Sequence, residues 1–290
     1  MKNFLKSIVD KLLVYLTHHS FNKSLITLQS LEYARLRQDM REKTPLNTAL
    51  WGRKVYSQND EDGVIQRIFS QIDHSATFIE IGIQDGRECN SLALLLQGWK
   101  GVWVEGDTRN CQAIKNDLGA DYFPARFRVL NKFIVKENIC EIVNDSRQFL
   151  GIDEVDFFSI DIDGNDYHIV ETMLAGNIRP KVFCIEYNGK FPPPMKVGIR
   201  YNAKHVWDKS EYQGASIQLF HDLFKMYGYS LLCCNLTGIN AFFVLDRYME
   251  KFERYSIEDL FQECRYNLSP IIQGAPPSLR FLKEALTADE

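Results

Sequence analysis

Two apolar runs near the carboxyl end of the chain, YSLLCCN and AFFVLD, are separated by little more than the tetrapeptide LTGI. A parallel crossover needs a dozen or more residues, so strands joined this closely must pair as an antiparallel hairpin. Upstream the pattern is the opposite. From residue 54 onward, short β-branched or aromatic runs alternate with stretches of helical periodicity, the pattern of parallel βαβ units. Strands are expected at TFIEIG, GVWVEG, RFRVLNKFIV, VDFFSID and KVFCIEY, followed by the two strands of the hairpin. Helices are expected near EDGVIQRIFSQI, NSLALLLQGW, NCQAIKNDL, YHIVETMLA and ASIQLFHDLFKMYG. The chain is therefore expected to be α/β, with a seven-stranded, mostly parallel sheet that ends in one antiparallel hairpin.

Residues 1–44 contain no strand-like run and read as a helical amino-terminal extension, closed by Pro45 after the charged stretch RLRQDMREKTP. Within it Phe4, Ile8, Leu12 and Leu16 recur at helical spacing. The longest apolar run, Leu12 to Leu16, is far short of the roughly 20 residues that span a bilayer, so neither a transmembrane segment nor an export signal is expected. An amphipathic helix of this kind docks on the body of the protein, on a second copy in a homo-oligomer, or peripherally on a membrane with help from Lys2, Lys6 and Lys11. Residues 45–250 form the main domain, and residues 251–290 a helical tail packed on it.

At 290 residues and 45% hydrophobic content the chain can bury one sizeable core. A formal net charge of -4 gives no electrostatic reason to expect a nucleic-acid partner. The 7 cysteines include no CxxC pair and mostly lie in apolar runs, which suits reduced thiols in the cytoplasm and no structural zinc.

The chemistry-bearing residues gather at the carboxyl ends of the expected strands. In FIEIGIQDGRECN, Glu80 ends the first strand, and Gly82 and Gly86 permit a tight turn with close backbone approach. Gln84 stands where a middle glycine would complete a glycine-rich loop, Asp85 follows it, and Asn90 closes the stretch. The substitution disfavours a loop built to crowd amides around a pyrophosphate and suits a ligand without one. About twenty residues further on, the second strand ends in VWVEGD. A carboxylate there can accept hydrogen bonds from both ribose hydroxyls, which favours Glu105, with Asp107 as its substitute. This discriminates against NADP but not against NAD.

The fourth strand ends in VDFFSIDIDGNDY and the fifth in KVFCIEYNG. In a doubly wound sheet these tips are neighbours, so Asp161, Asp163, Glu186 and Asn188 should converge. Clustered carboxylates must share a proton or a cation, and an oxygen-only set suits magnesium or calcium better than zinc. Two roles compete: a divalent ion that gathers substrate hydroxyls and lowers their pKa, or one carboxylate as general base while the others bind hydroxyls directly. After the fifth strand the irregular stretch NGKFPPPMKVGIRYNAKHVWDKSEYQG reads as a lid or acceptor loop, and it carries His205 as a candidate base or acceptor-binding group. His168 and His221, on expected helices, read as packing residues. The polar groups of NLTGIN, Asn235, Thr237 and Asn240, read as turn chemistry.

Together YSQNDEDGVIQRIF, FIEIGIQDGRECNSLALLLQGWKGVWVEGD, FFSIDIDGNDYHIV, IEYNGKFPPP and NLTGINAFFV resemble a bacterial group within the FkbM-like, class I S-adenosylmethionine-dependent methyltransferases. The resemblance spans roughly residues 54–246 and implies a Rossmann-like sheet closed by a hairpin. It also implies O-methylation of a sugar in a surface glycan or natural product, with a small-molecule or glycan acceptor. Glu80, Gly82 and Gly86 would line the methionine and sulfonium part of the cofactor, and Glu105 would hold its ribose. Gln58 and Asp62 would close over it, and Asp161 would stand near the methyl group. Metal-dependent relatives such as catechol O-methyltransferase place adjacent acid and asparagine at the fifth strand, whereas here Tyr187 separates Glu186 from Asn188. The rival readings are an NAD-dependent enzyme, which wants a triple-glycine loop and a sixth parallel strand, and an inactive scaffold held in a glycan-assembly complex by its helical extension.

Overall fold

The computed structural model describes residues 24–120, 122–124, 126–268 and 275–288. The expected helix through Phe4 and Leu16 lies outside them. The strands are β1 (Thr77–Ile81), β2 (Lys100–Glu105), β3 (Tyr122–Phe123), β4 (Phe127–Asn131), β5 (Phe157–Ile160), β6 (Val182–Glu186), β7 (Tyr229–Cys234) and β8 (Asn240–Leu245). Residues 24–43 form α1. The other helices are α2 (Glu61–Phe69), α3 (Leu92–Leu96), α4 (Thr108–Leu118), α5 (Ile139–Leu150), α6 (Asp166–Ala175), α7 (Ile217–Met226), α8 (Ile257–Leu260) and α9 (Arg280–Thr287).

All strands belong to one sheet of order β3-β4-β2-β1-β5-β6-β8-β7. The pairs β4/β2, β2/β1, β1/β5 and β5/β6 are parallel, while β8 runs antiparallel between β6 and β7. The α/β class, the parallel centre and the closing hairpin are thus as the sequence predicts. Strand order reverses between β1 and β5, which makes their carboxyl ends the natural crevice of the sheet.

Two apolar layers cover the faces, and strand alternation decides which residue enters which. Phe78, Trp103, Phe157 and Cys184 enter the layer under α2, α3 and α9, while Ile79, Val104, Phe158 and Phe183 enter the layer under α5, α6 and α7. Leu282 and Leu286 of α9 are buried in the first layer, where α9 packs on α3 and α4. No helix of the described residues is long and apolar enough to cross a membrane.

Three differences from expectation have local causes. The sheet has eight strands rather than seven, because Tyr122–Phe123 adds a two-residue antiparallel edge to β4. β4 stops at Asn131, short of the full RFRVLNKFIV run. Beyond it the Asn138 side chain accepts the Val135 N–H at 2.9 Å and donates to the Phe133 carbonyl at 2.9 Å, curling residues 133–135 off the ladder. The third is α5, unmarked in the sequence reading, which buries Ile139, Ile142, Val143 and Leu150 at helical spacing and ends on Gly151 in the left-handed region.

Candidate functional site

A cavity of about 520 Å³ opens at the switch point, lined by residues from the tips of β1, β2, β4 and β5 and from the loop after β6. Its size suits a cofactor or small metabolite. Gly82 shapes its floor. At φ 83° it lies so close to the Asp161 carbonyl oxygen that any Cβ would overlap it. Gly86, at φ 76°, packs its bare face on the Trp103 ring, 2.6 Å from where a Cβ would stand.

Gln84 keeps the left-handed conformation that a glycine would adopt, at φ 50°. Its backbone N–H donates to Glu105 Oε2 at 2.8 Å, so this amide serves a protein carboxylate and not a phosphate. Glu105 Oε1 accepts the Asp107 N–H at 2.7 Å. With each oxygen fixed by one backbone donor, Glu105 keeps lone pairs for a ligand while only 8% of its surface is exposed. Asp107 also lines the cavity, but it caps α4 through the Arg109 N–H and faces the Arg109 guanidinium, which draws its pKa down to about 2. Of the two acids, Glu105 is the buried and pre-oriented one.

At the neighbouring tips Asp161, Asp163 and Glu186 bring carboxylate oxygens within 4.8 Å of one another. The Asp161 and Glu186 carboxyls face each other closely enough to share a hydrogen bond when one of them carries a proton. Burial, and then the repulsion of Asp161, pushes Glu186 well above the ordinary carboxylate range. Asp161 moves the same way through burial and the charges of Asp166 and Asp163. Two neighbouring carboxyls raised together are set up to share a proton. Asp163, at φ 54°, is raised by burial and partly relieved by the neighbouring His205. His205 lines the cavity, covers Gly164, and holds its Nε2 buried without a partner.

Asn188 does not join this cluster. Its Nδ2 donates to the carbonyls of Glu211 at 3.0 Å and Gln213 at 3.1 Å, and its Oδ1 accepts the Lys190 N–H. Three of the four expected metal ligands therefore converge, and the fourth anchors the loop after β6. The three carboxylates offer the oxygen chemistry of a hard divalent cation, with Asn188 excluded from the set.

Several expected cofactor residues, Gly86 among them, are not in the cavity lining. Glu80 is buried, its oxygens accepting the Asn90 and Ser91 N–H groups at 2.8 Å each and the Ser91 hydroxyl. Burial raises it to about 7 against those hydrogen bonds. Asn90 spends its amide on Ser159 Oγ at 3.0 Å. Asp85 pairs with Arg87, itself bridged to Asp117. Gln58 is exposed, its carbonyl holding Lys54 Nζ. Asp62 Oδ2 gathers the N–H groups of Val55, Tyr56 and Ser57 at 2.7, 2.7 and 2.8 Å, folding the segment before α2 onto itself.

The acids of QNDED form a structural knot. Asp60 accepts the Tyr33 hydroxyl of α1 at 2.5 Å, and burial with the adjacent Glu61 charge raises it to about 7. Glu61 Oε1 accepts from Asn235 Nδ2 at 2.7 Å and Asn240 Nδ2 at 2.8 Å. Asn235 Oδ1 does perform turn chemistry, accepting the N–H groups of Ile239 and Asn240, but NLTGIN is also bound to the start of α2.

Sequence reasoning missed Lys132, Phe133, Ile134, Asn165 and Trp207, all in the lining. For the first three, β4 ends sooner than its apolar run suggests. For Trp207, the signal was an aromatic residue inside an otherwise polar loop.

No known protein-family model matches this chain, and no curated protein matches it. Among solved structures it is similar to an O-methyltransferase from Bacillus cereus in complex with SAH, at 15% identity over 58% of this chain and 72% of that one, with a TM-score of 0.37. It is similar to the N-terminal domain of EvdMO1 with SAH bound, at 11% identity over 73% and 94% of the two chains, with a TM-score of 0.41. A third is an S-adenosylmethionine-dependent methyltransferase from Clostridium acetobutylicum, at 11% identity over 64% and 90%, with a TM-score of 0.38.

Proposed function

We propose that this chain is an S-adenosylmethionine-dependent O-methyltransferase that acts on a hydroxyl of a sugar or glycan. The observation that carries the reading is Glu105, buried at the tip of β2 with both oxygens pre-oriented, in the same cavity wall as the β1 turn and one end of a proton-sharing acid pair. Glu105 would hold the ribose hydroxyls, and the glycine-shaped turn at Gly82 would face the sulfonium end. Bound S-adenosylmethionine would supply an electrophilic methyl group.

The chain's own contribution is positioning and proton handling. Strands in a sheet lie about 4.8 Å apart, so the tips from β2 through β1 and β5 to β6 span about 14 Å. A ligand anchored at Glu105 would therefore present its far end to Asp161 and Glu186. Holding an acceptor hydroxyl there at near-attack distance can supply several kcal/mol of the barrier, up to ~11. Asp161, with its raised pKa, is a stronger base than an ordinary carboxylate and takes the hydroxyl proton while Glu186 donates to it. Asp163 and Asn165 offer further polar groups to vicinal hydroxyls. If a divalent cation binds, Asp161, Asp163 and Glu186 would hold it and it would lower the acceptor pKa.

Two observations favour this reading over an NAD enzyme: the Gln84 amide is already engaged by Glu105, and the sheet ends in an antiparallel β8 between β6 and β7. Seven free cysteines, four of them buried, support a reducing, cytoplasmic setting. The test is thermal stabilisation by S-adenosylmethionine and by NAD in parallel, followed by transfer of labelled methyl to a panel of methyl glycosides. Stabilisation by NAD alone would overturn the proposal.

A further inference from the structure

The loop after β6 leaves the sheet at Asn188, yet residues 201–207 do not stay above that strand. At the β5 tip, Asn165 Nδ2 donates to the Asn202 carbonyl at 2.8 Å, and the His205 ring covers Gly164. Further across, the Tyr201 hydroxyl accepts the Lys136 N–H at 3.1 Å and donates to Glu137 at 2.7 Å. Lys136 and Glu137 belong to the connection between β4 and α5. The segment therefore roofs the cavity from its β6 side to its β4 side.

This roof carries Trp207, 40% exposed, with its indole N–H fixed on the Ser210 carbonyl at 2.7 Å. Phe133 lines the same cavity, 52% exposed, and packs against Gly106, the residue after Glu105. Neither ring stacks on another aromatic residue among the described residues. Large apolar side chains left uncovered in the wall of one cavity mark a ligand surface, and flat aromatic faces suit a flat ligand. Since Phe133 packs on Gly106, a nucleoside whose ribose was held on Glu105 would have this ring within reach of its purine.

We propose that Trp207, carried by the roof, is a cofactor-binding residue that together with Phe133 encloses the purine ring, so that the loop after β6 serves the cofactor as well as the acceptor. This rests on the assignment of the cavity to S-adenosylmethionine.

The test is calorimetric titration of the full chain with S-adenosylhomocysteine and, separately, with 5′-methylthioadenosine, which keeps purine and ribose but lacks the amino-acid end. Trp207→Ala is expected to weaken both ligands by about tenfold or more, and Trp207→Phe to recover most of the loss. Because Trp207 is partly exposed, the ligand-free melting temperature of Trp207→Ala should stay at the wild-type value, which separates lost binding from lost folding. Wild-type binding with equal affinity in Trp207→Ala would overturn the role of Trp207 and leave the cavity assignment standing. Weakened S-adenosylhomocysteine with unchanged 5′-methylthioadenosine would move Trp207 to the amino-acid end and overturn the purine assignment. No binding of either ligand by the wild type would overturn both.

Discussion

The backbone N–H of Gln84 donates to the carboxylate of Glu105 at 2.8 Å and so joins the turn after β1 to the tip of β2. The contact uses the one position in the turn where a glycine is missing. The left-handed backbone at Gln84 is retained at a cost of about 1 kcal/mol, and its amide is aimed at a protein acid. Gln84→Gly is accordingly expected to leave ligand affinity within about twofold, since the amide and the conformation survive. Gly82→Ala is expected to prevent folding or cost more than about 3 kcal/mol in urea denaturation, because its Cβ would overlap the Asp161 carbonyl oxygen.

A proton shared by Asp161 and Glu186, as proposed, would give opposite expectations for two conservative variants. Glu186→Gln still donates to Asp161 and should retain turnover within about tenfold, with no response to magnesium or chelator. Asp161→Asn removes the base and should lower turnover by about 100-fold or more, with affinity for S-adenosylhomocysteine unchanged. If Glu186→Gln instead abolishes a magnesium-dependent activity, the three carboxylates hold a cation rather than a proton.

Glu80 makes stability depend on pH. Its pKa rises from 4.5 to about 7 in the fold, so between those values the folded state binds more protons than the unfolded one. Its stabilising contribution is complete below about pH 4.5 and is lost as pH rises through about 7, by on the order of 3 kcal/mol. Glu80→Gln should flatten the decline in stability over that window in urea melts at a series of pH values. An unchanged slope would remove Glu80 as its cause.

The knot between α2 and the hairpin predicts a purely structural lesion. Glu61→Ala leaves Asn235 and Asn240 side-chain amides without their shared acceptor in a buried setting. A loss of about 3 kcal/mol is expected by urea denaturation, within the range for breaking a buried polar network. A loss under about 1 kcal/mol would show that the network contributes little.

Much of this architecture is legible in the sequence, for physical reasons that differ by element. The tetrapeptide LTGI leaves the hairpin no alternative, and the central strands are apolar on both faces because both faces are covered. The position of Glu105, at the β2 tip and in the cavity wall, is legible because strand, acid and glycine turn stand in register. Asp62 and Glu80 are less legible. An acid beside a glycine turn can face a ligand or turn inward to collect backbone amides, and residue type does not separate the two. The curl at Asn138 that frees Phe133, and the Tyr201 contacts that bring Trp207 over the cavity, depend on partners distant in the chain.

The most direct test is calorimetric titration of wild type and Glu105→Ala with S-adenosylhomocysteine. The wild type should bind one equivalent, and the variant should bind at least tenfold more weakly, as the loss of charge-assisted hydrogen bonds to a ribose requires. Equal affinity in the two proteins would contradict the assignment of Glu105, and with it the placement of the cofactor in this cavity.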